Sequence, residues 1–398
     1  MTEREPMPFP FARGAVTELP PGYELLRRDR PVCRVRLPSG DLAWLVTRYA
    51  DARLVLADHR FSKRALLDGG AARTRRGALL SGLLFTTDPP EHTALRSRLT
   101  GSLNPRRVAA LRPRITGLAE ELLDRLEPGG DLMAAFAEPL AMSVICALLG
   151  VPVAEHRTYA HWAEAVLSVN RFTDEEVTRA QNELLVHMSA TVRAARSEPG
   201  EGLISALVTD GLAVDDDASV VKLVATLLVT GYETMVAGIG NAVLTLLVHN
   251  GRLPSCPVDP ALLEEVLRFS TYGDALRSRR AVEDVQLGGV TIRAGDVVVV
   301  SVASANRDDD AFPEAGRFDP TRFDPTRFDP ARCGPRHLSF GHGAHFCVGA
   351  SLARLELEVA LEVLSRRLPA LRLAVPATEV RFRDGSAETP PESLPVTW

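Results

Sequence analysis

The chain predicts a mainly α fold with a smaller β portion, and three observations carry that expectation. Between Arg106 and Ser197 apolar residues recur at helical spacing, separated by short turns and without strand-like alternation. Residues 213–250 form a nearly continuous apolar run, read as a helix of about 50 Å at ~1.5 Å per residue, buried on all sides. Alternating β-branched residues are confined to a pair of segments near the start and to a stretch around Gly288-Gly289 and Gly295.

Val32–Leu37 and Leu42–Thr47, joined by Pro38-Ser39-Gly40-Asp41, read as a β-hairpin. Arg48–Ala57 has helical spacing, and Ser62–Leu80, rich in Gly, Ala and Arg, reads as a long loop. Asp88-Pro-Pro-Glu-His opens a helix with an acidic N-cap and proline in its first turn. His92 and Arg96 lie four apart on it and share a face. Helices are expected next over Val108–Leu126, Met133–Leu149, Ala154–Ser168 and Asp174–Arg196. The connection Leu167–Phe172, carrying Asn170 and Arg171, reads equally as a surface turn and as a substrate-facing segment.

The long helix, Ala213–Asn250, is capped by Asp215–Asp217 and interrupted chemically by Gly231-Tyr232-Glu233-Thr234. A glycine, an acid and a hydroxyl at the centre of a buried helix cost stability. Thr234 can bond back to a carbonyl and bend the helix, or the acid–alcohol pair can handle protons. Glu265 and Arg268 share a face of a following helix, a spacing worth only a few tenths of a kcal/mol on a surface. Ser278–Ser301 reads as a small sheet, and strands near Leu371–Val375 and Val380–Phe382 flank Arg383–Thr389. The β-containing parts thus fall near 30–50, 270–300 and 370–398, the helical ones near 88–270 and 347–367, within one domain spanning 1–398.

At 398 residues, 45% hydrophobic and 24% charged, the chain has the balance of an ordinary globule. A net charge of −5 gives no reason to expect nucleic acid or an anionic membrane as partner. No apolar run approaches a clean membrane span, and MTEREPMPFPF lacks the order of a signal peptide, so a cytoplasmic protein is expected. Cys33, Cys146, Cys256, Cys333 and Cys347 are scattered and form no C-x-x-C pair, which disfavours both disulfides and zinc.

The chemistry is concentrated in Phe340-Gly-His-Gly-Ala-His-Phe-Cys-Val-Gly349. Its cysteine stands at the mouth of a helix expected from about Val348 to Arg367, where unpaired N–H groups and the helix dipole favour a thiolate. A lone cysteine after a glycine-rich turn is more often a buried structural residue. The pattern Phe340-Gly341-x-Gly343-x-His345-x-Cys347-x-Gly349, however, matches position by position the ligand signature of the haem-thiolate monooxygenases, and the chain resembles the cytochrome P450 family.

The resemblance, from the first hairpin to Trp398, implies a cytochrome P450-like fold with haem b buried between the long central helix and the cysteine-ligand loop. It implies Cys347 as the iron ligand, with His345 near a propionate and Gly349 completing the signature. It implies propionate clamps at His92, Arg96 and Arg279, with Arg280 as the competing choice. Glu233 and Thr234 become the proton-delivering pair, although Tyr232 and Met235 replace commoner residues of the family pattern.

Glu265 and Arg268 become a buried ion pair completed by a later arginine. That arginine is ambiguous, because Phe-Asp-Pro-Thr/Ala-Arg is repeated three times, ending at Arg322, Arg327 and Arg332. Spacing from Arg307-Asp308 favours Arg322, spacing back from Phe340 favours Arg332, and the balance tips to Arg332.

The segments Ser270–Arg277 and Arg383–Thr389 are implied to reach substrate. The implied reaction uses O2 and electrons from a separate ferredoxin and ferredoxin reductase, since no dinucleotide motif is present. Arg106, Arg107, Arg336 and Arg354 are candidates for that docking. Phe9-Pro-Phe-Ala-Arg-Gly14 and Glu264–Arg279 resemble members acting on cyclic dipeptides, with macrolide-like polyketides as the alternative. Oxidative coupling without oxygen insertion and a non-catalytic haem-thiolate binding protein are the other readings.

Overall fold

A computed structural model describes residues 5–11, 16–73, 81–209, 216–271, 273, 277–324 and 336–398. In chain order the elements begin with β1 (Met7–Pro8), α1 (Gly22–Asp29), β2 (Val32–Arg36), β3 (Leu42–Val46), α2 (Tyr49–Ala57) and β4 (Phe61–Ser62). The helical stretch follows with α3 (Glu91–Thr100), α4 (Pro105–Ala109), α5 (Arg112–Leu123), α6 (Glu138–Leu149), α7 (His156–Leu167), α8 (Asp174–Ser197), α9 (Leu203–Thr209) and α10 (Asp217–His249). Then come α11 (Pro260–Phe269), β5 (Ser278–Ala281), β6 (Val285–Leu287), β7 (Val290–Ile292), β8 (Val297–Val300), α12 (Val302–Ala305), α13 (Ala350–Arg367), β9 (Arg372–Leu373) and β10 (Val396–Thr397). They fall into two compact units, Met1–Arg76 with Asp259–Cys347 and Gly77–Val258 with Val348–Trp398.

The first unit is built on a six-stranded mixed sheet in the order β1-β2-β3-β8-β5-β4. The expected hairpin is its seed: β2 and β3 pair antiparallel with Cys33 opposite Leu45. Successive side chains of β8 enter different clusters, Val298 and Val300 with Val46 and Leu56, Val297 and Val299 with Val35 and Leu45. A strand covered on both faces reads as an unbroken apolar run, and Val297–Val300 is one.

The second unit is the helical layer. α10 packs against α6, α7, α8 and α13. Asp216 caps it by accepting from the backbone N–H groups of Ala218 (3.0 Å) and Ser219 (3.2 Å). It is long and apolar enough to cross a membrane by length and composition, and 78% of its most apolar window is buried inside the protein. α8 starts with a capping box, Thr173 and Glu176 exchanging hydrogen bonds.

Several expectations change. The helix read over Val108–Leu126 is two, α4 and α5, because Pro113 supplies no N–H and restarts the helix in its first turn. The stretch Met133–Leu149 opens with a π-helical turn over Met133–Ala137 before α6. α3 begins at Glu91 with Pro90 as N-cap, not at Asp88. β9 pairs with β10, and Val380–Phe382 makes only a single bridge, Phe382 to Pro391.

Candidate functional site

In the first unit the glycine-rich stretch folds into a tight loop around a 3₁₀ turn at Gly343–His345. The Cys347 N–H donates to the Phe340 carbonyl at 2.8 Å and the Phe346 N–H to that of Gly343 at 3.0 Å. Gly343 has φ +71°, and a Cβ there would stand 2.7 Å from the Leu56 carbonyl oxygen and 2.8 Å from Ala57 Cα. The turn therefore presses on the end of α2 as only glycine allows. Cys347 and Phe346 are left exposed on this rigid loop. Cys33 and Cys146 contrast with it, since burial pushes their thiols up to about 11 and about 12.

The loop is tied to the ion pair. Glu265 accepts from Arg268 Nε and Nη2 at 2.7 Å each, and Arg268 Nη1 donates to the carbonyls of Asn306 (2.6 Å) and Ala315 (2.9 Å). Asn306 in turn accepts from the Leu338 N–H at 2.7 Å and donates to Ser339 Oγ at 3.0 Å. The third arginine in the structure is Arg322, whose Nε lies 3.2 Å from Glu265 Oε2, whereas the sequence placed Arg332 there. The turn after Arg317 brings Arg322 back, since the Asp319 N–H also donates to Glu265 at 2.8 Å. Arg327, Arg332 and Cys333 lie outside the described residues.

Arg279 is buried on β5, its Nη1 donating to the Ser278 carbonyl at 2.9 Å. Arg280, on the opposite face, is engaged by the Gly295 carbonyl at 3.1 Å and by Asp68 at 3.8 Å. Strand alternation thus leaves Arg279, and not its neighbour, as the inward cation. Of the segment Ser270–Arg277, residues 272 and 274–276 lie outside the described residues.

In the second unit His92 is buried on α3 and Arg96 follows one turn later, half-buried. Gly349 is the N-cap of α13. α10 runs unbroken through Gly231–Thr234, and Thr234 Oγ1 donates to the Thr230 carbonyl at 2.6 Å. That bond occupies the hydroxyl proton and leaves the oxygen lone pairs for an incoming donor. Glu233 is 2% exposed, and its Oε2 has no hydrogen-bond partner. Burial, then the charges of Glu388 and Glu164, push its carboxyl up to about 8, against the opposing pull of Arg383 and Arg171.

Around Glu233 stands a set of charges that sequence reasoning missed. Arg383 donates to Glu138 at 2.6 Å and to Glu164 at 3.3 Å, and Arg171 lies 3.8 Å from Glu164. The Val169 N–H donates to the Gly385 carbonyl at 2.7 Å, and Ser168 bridges Ser386. Leu167–Phe172, which reads equally as a surface turn and as a substrate-facing segment, and Arg383–Thr389, implied to reach substrate, are therefore bonded to each other. No local pattern signals this, because the partners are more than 200 residues apart in the chain.

The donor set fits an iron porphyrin. A thiol on a rigid glycine turn suits an axial iron site, and imidazole and guanidinium groups suit propionates.

Residues 252–369 match the family model described as Cytochrome P450. The whole chain is 41% identical to the mycinamicin IV hydroxylase/epoxidase of Micromonospora griseorubida, covering 100% of both. It is 41% identical to the nocardicin C N-oxygenase of Nocardia uniformis subsp. tsuyamanensis, again over 100% of both. Among solved structures, the putative thioether synthase SgvP, involved in the tailoring step of griseoviridin, superposes with TM-score 0.90 at 38% identity, covering 99% of this chain and 100% of that one.

Proposed function

This chain belongs to the cytochrome P450 family, O2-dependent monooxygenases that bind haem b through a cysteine thiolate, and we propose that it oxidises a macrolide or related polyketide scaffold with Cys347 as the iron ligand. The observation that carries the ligand assignment is the exposed Cys347 thiol on a loop pinned by Phe340, Gly343 and Asn306. The relatives' named activities, a hydroxylation/epoxidation, an N-oxygenation and a thioether synthesis, support a natural-product scaffold and span oxygen insertion and bond formation alike. The macrolide relative moves the weight away from a cyclic dipeptide.

In this reading the chain acts as one catalytic domain, and His92, Arg96, Arg279 and His345 would hold the propionates. Haem b, when bound, supplies the activation of O2. Thr234 orients a protonated group by accepting from it, and Glu233 serves as the proton source, because burial keeps it protonated near neutrality. Ferredoxin and its reductase deliver electrons. Arg106 and Arg107, exposed on α4 beside the α13 that carries Arg354, support such a docking face. α10 serves as a core helix and not as a span, which suits a cytoplasmic enzyme.

The test is a titration of the ferric protein with mycinamicin-type macrolides and with cyclic dipeptides, following the Soret band. A saturable shift with macrolides alone supports the reading, and a shift with cyclic dipeptides alone overturns the substrate class. Cys347→His should abolish the CO-bound absorption diagnostic of thiolate ligation, and its survival would end the ligand assignment.

A further inference from the structure

The loop of Cys347 has a second anchor on α11, beside the Glu265–Arg268 pair. His337 Nε2 lies 3.1 Å from Glu264 Oε2, the imidazole being 2% and the carboxylate side chain 29% exposed. Across the ring, the Ser339 N–H donates to His337 Nδ1 at 3.2 Å. An amide N–H only donates, so Nδ1 offers a lone pair and the ring proton sits on Nε2, aimed at the carboxylate. Glu264 thereby selects the tautomer that Ser339 requires.

Ser339 is bonded at its other polar atoms too. Its Oγ donates to the Leu267 carbonyl at 2.8 Å and accepts from Asn306 Nδ2 at 3.0 Å, and its carbonyl accepts from Arg277 Nη2 at 3.4 Å. The N–H is the one of these groups that His337 holds. Phe340 comes next, and its carbonyl accepts from the Cys347 N–H at 2.8 Å. The Phe340 ring lies 5.8 Å from the imidazole and 6.4 Å from Phe346, while Phe323 stands edge-on to the imidazole at 6.1 Å. From Glu264 to Cys347 the chain of contacts is continuous, and all of it lies in the first unit.

We propose that His337 is a positioning residue for the iron ligand: held by Glu264 as the Nε2–H tautomer, it fixes the Ser339 peptide and the Phe340 ring, and so the carbonyl that holds the Cys347 N–H. This rests on Cys347 being the ligand. A group one step behind a ligand sets its orientation and its exposure to water, and both tune the reduction potential of the metal. A loosened loop admits water, which stabilises the negative charge added on reduction. Losing the His337 bond therefore favours the ferrous state.

Spectroelectrochemical titration of the haem-loaded protein, joined to amide hydrogen exchange, tests this without turnover. His337→Gln carries its polar end beyond the Nδ1 position, whereas His337→Asn places an oxygen where Nδ1 stands. In His337→Gln the ferrous-to-ferric ratio at a fixed potential should rise about tenfold, the scale of losing an outer-shell partner, and the Ser339 amide should exchange faster. His337→Asn should return both toward wild type. Glu264→Ala, which frees the tautomer from a half-buried position, should follow His337→Gln, and Glu264→Gln, whose amide oxygen still accepts from Nε2, should follow wild type. A loss of unfolding stability with an unmoved ratio in His337→Gln would make the residue merely structural and overturn the proposal. Equal displacement in His337→Asn and His337→Gln would overturn it as well. Should the His337 variants take up no haem, Glu264→Ala decides alone, and a wild-type ratio there overturns it. The CO-bound absorption separates this from the ligand assignment. Without the thiolate band in wild type, Cys347 is not the ligand and the proposal falls with it. With the band present throughout, an unmoved ratio removes the role of His337 and leaves Cys347 standing.

Discussion

Arg268 grips both carboxylate oxygens of Glu265, at 2.7 Å each, with neither side chain reaching solvent. The remaining guanidinium hydrogens are spent on the carbonyls of Asn306, Ala315 and Arg317, so the pair holds two backbone segments in place. Through Asn306 it reaches Leu338 and Ser339, at the root of the cysteine loop.

Arg268→Ala strands a buried carboxylate and should cost about 3–5 kcal/mol in urea unfolding. Arg322→Ala leaves Glu265 its two bonds from Arg268 and the Asp319 N–H, and should cost roughly 1–2 kcal/mol. The haem content of the purified variants should fall in the same order. Equal losses for the two would mean that Arg268 has no special hold on the loop.

Thr234→Ala should keep haem and substrate binding, because neither needs the hydroxyl. Product formed per electron should drop about tenfold or more, with the balance released as hydrogen peroxide. Thr234→Ser, which keeps an oxygen able to accept, should recover most of the yield. Undiminished yield in Thr234→Ala would strip that residue of its role and favour coupling chemistry that draws on substrate groups.

The raised carboxyl of Glu233 has a stability signature. The folded state holds its proton up to about 8, while the unfolded chain releases it near the ordinary 4.5. Between those limits the native state binds more protons, so stability falls as pH rises and levels off above the upper one. At pH 7 the cost is roughly 3 kcal/mol. Glu233→Gln should flatten that decline in denaturant midpoints measured across the range. A decline as steep as wild type would assign it to other groups, Glu356 first.

Gly385 has φ +73°, and a Cβ would lie 2.1 Å from Asn170 Oδ1. Gly385→Ala should therefore push residues 168–172 away and release the Val169 N–H from the Gly385 carbonyl. Hydrogen exchange at Val169 should accelerate markedly, while α8 stays protected behind its Thr173 cap. Unchanged protection at Val169 would show that the two segments are held by something else.

What the sequence made legible was what local chemistry dictates. The hairpin, α2, α8 and the cap of α10 follow from turn residues, side-chain period and capping groups within a few positions of each other. The Cys347 loop was legible for the same reason, as its glycines and ligand are contiguous. α9 escaped notice because seven residues give the helical period barely two turns in which to show. Arg322 was ambiguous because three copies of one pentapeptide offer the same arginine, and only a tertiary partner, Glu265, distinguishes them. The cluster around Arg383 was invisible, since each of its members is an unremarkable surface-type residue until the chain folds.

The pairing of the last residues has a consequence for synthesis. Val396 exchanges hydrogen bonds with Gly129 and Gly130, and the Leu394 carbonyl accepts from the Leu132 N–H just ahead of the π-helical turn. Residues 129–132 leave the ribosome more than 260 residues before these partners do, which is many seconds at ~5–20 residues per second. The nascent helical unit must wait with that edge open until Leu394 and Val396 have been made. A stalled or prematurely released chain would expose Met133 and Phe136, otherwise fully buried, to chaperones and proteases.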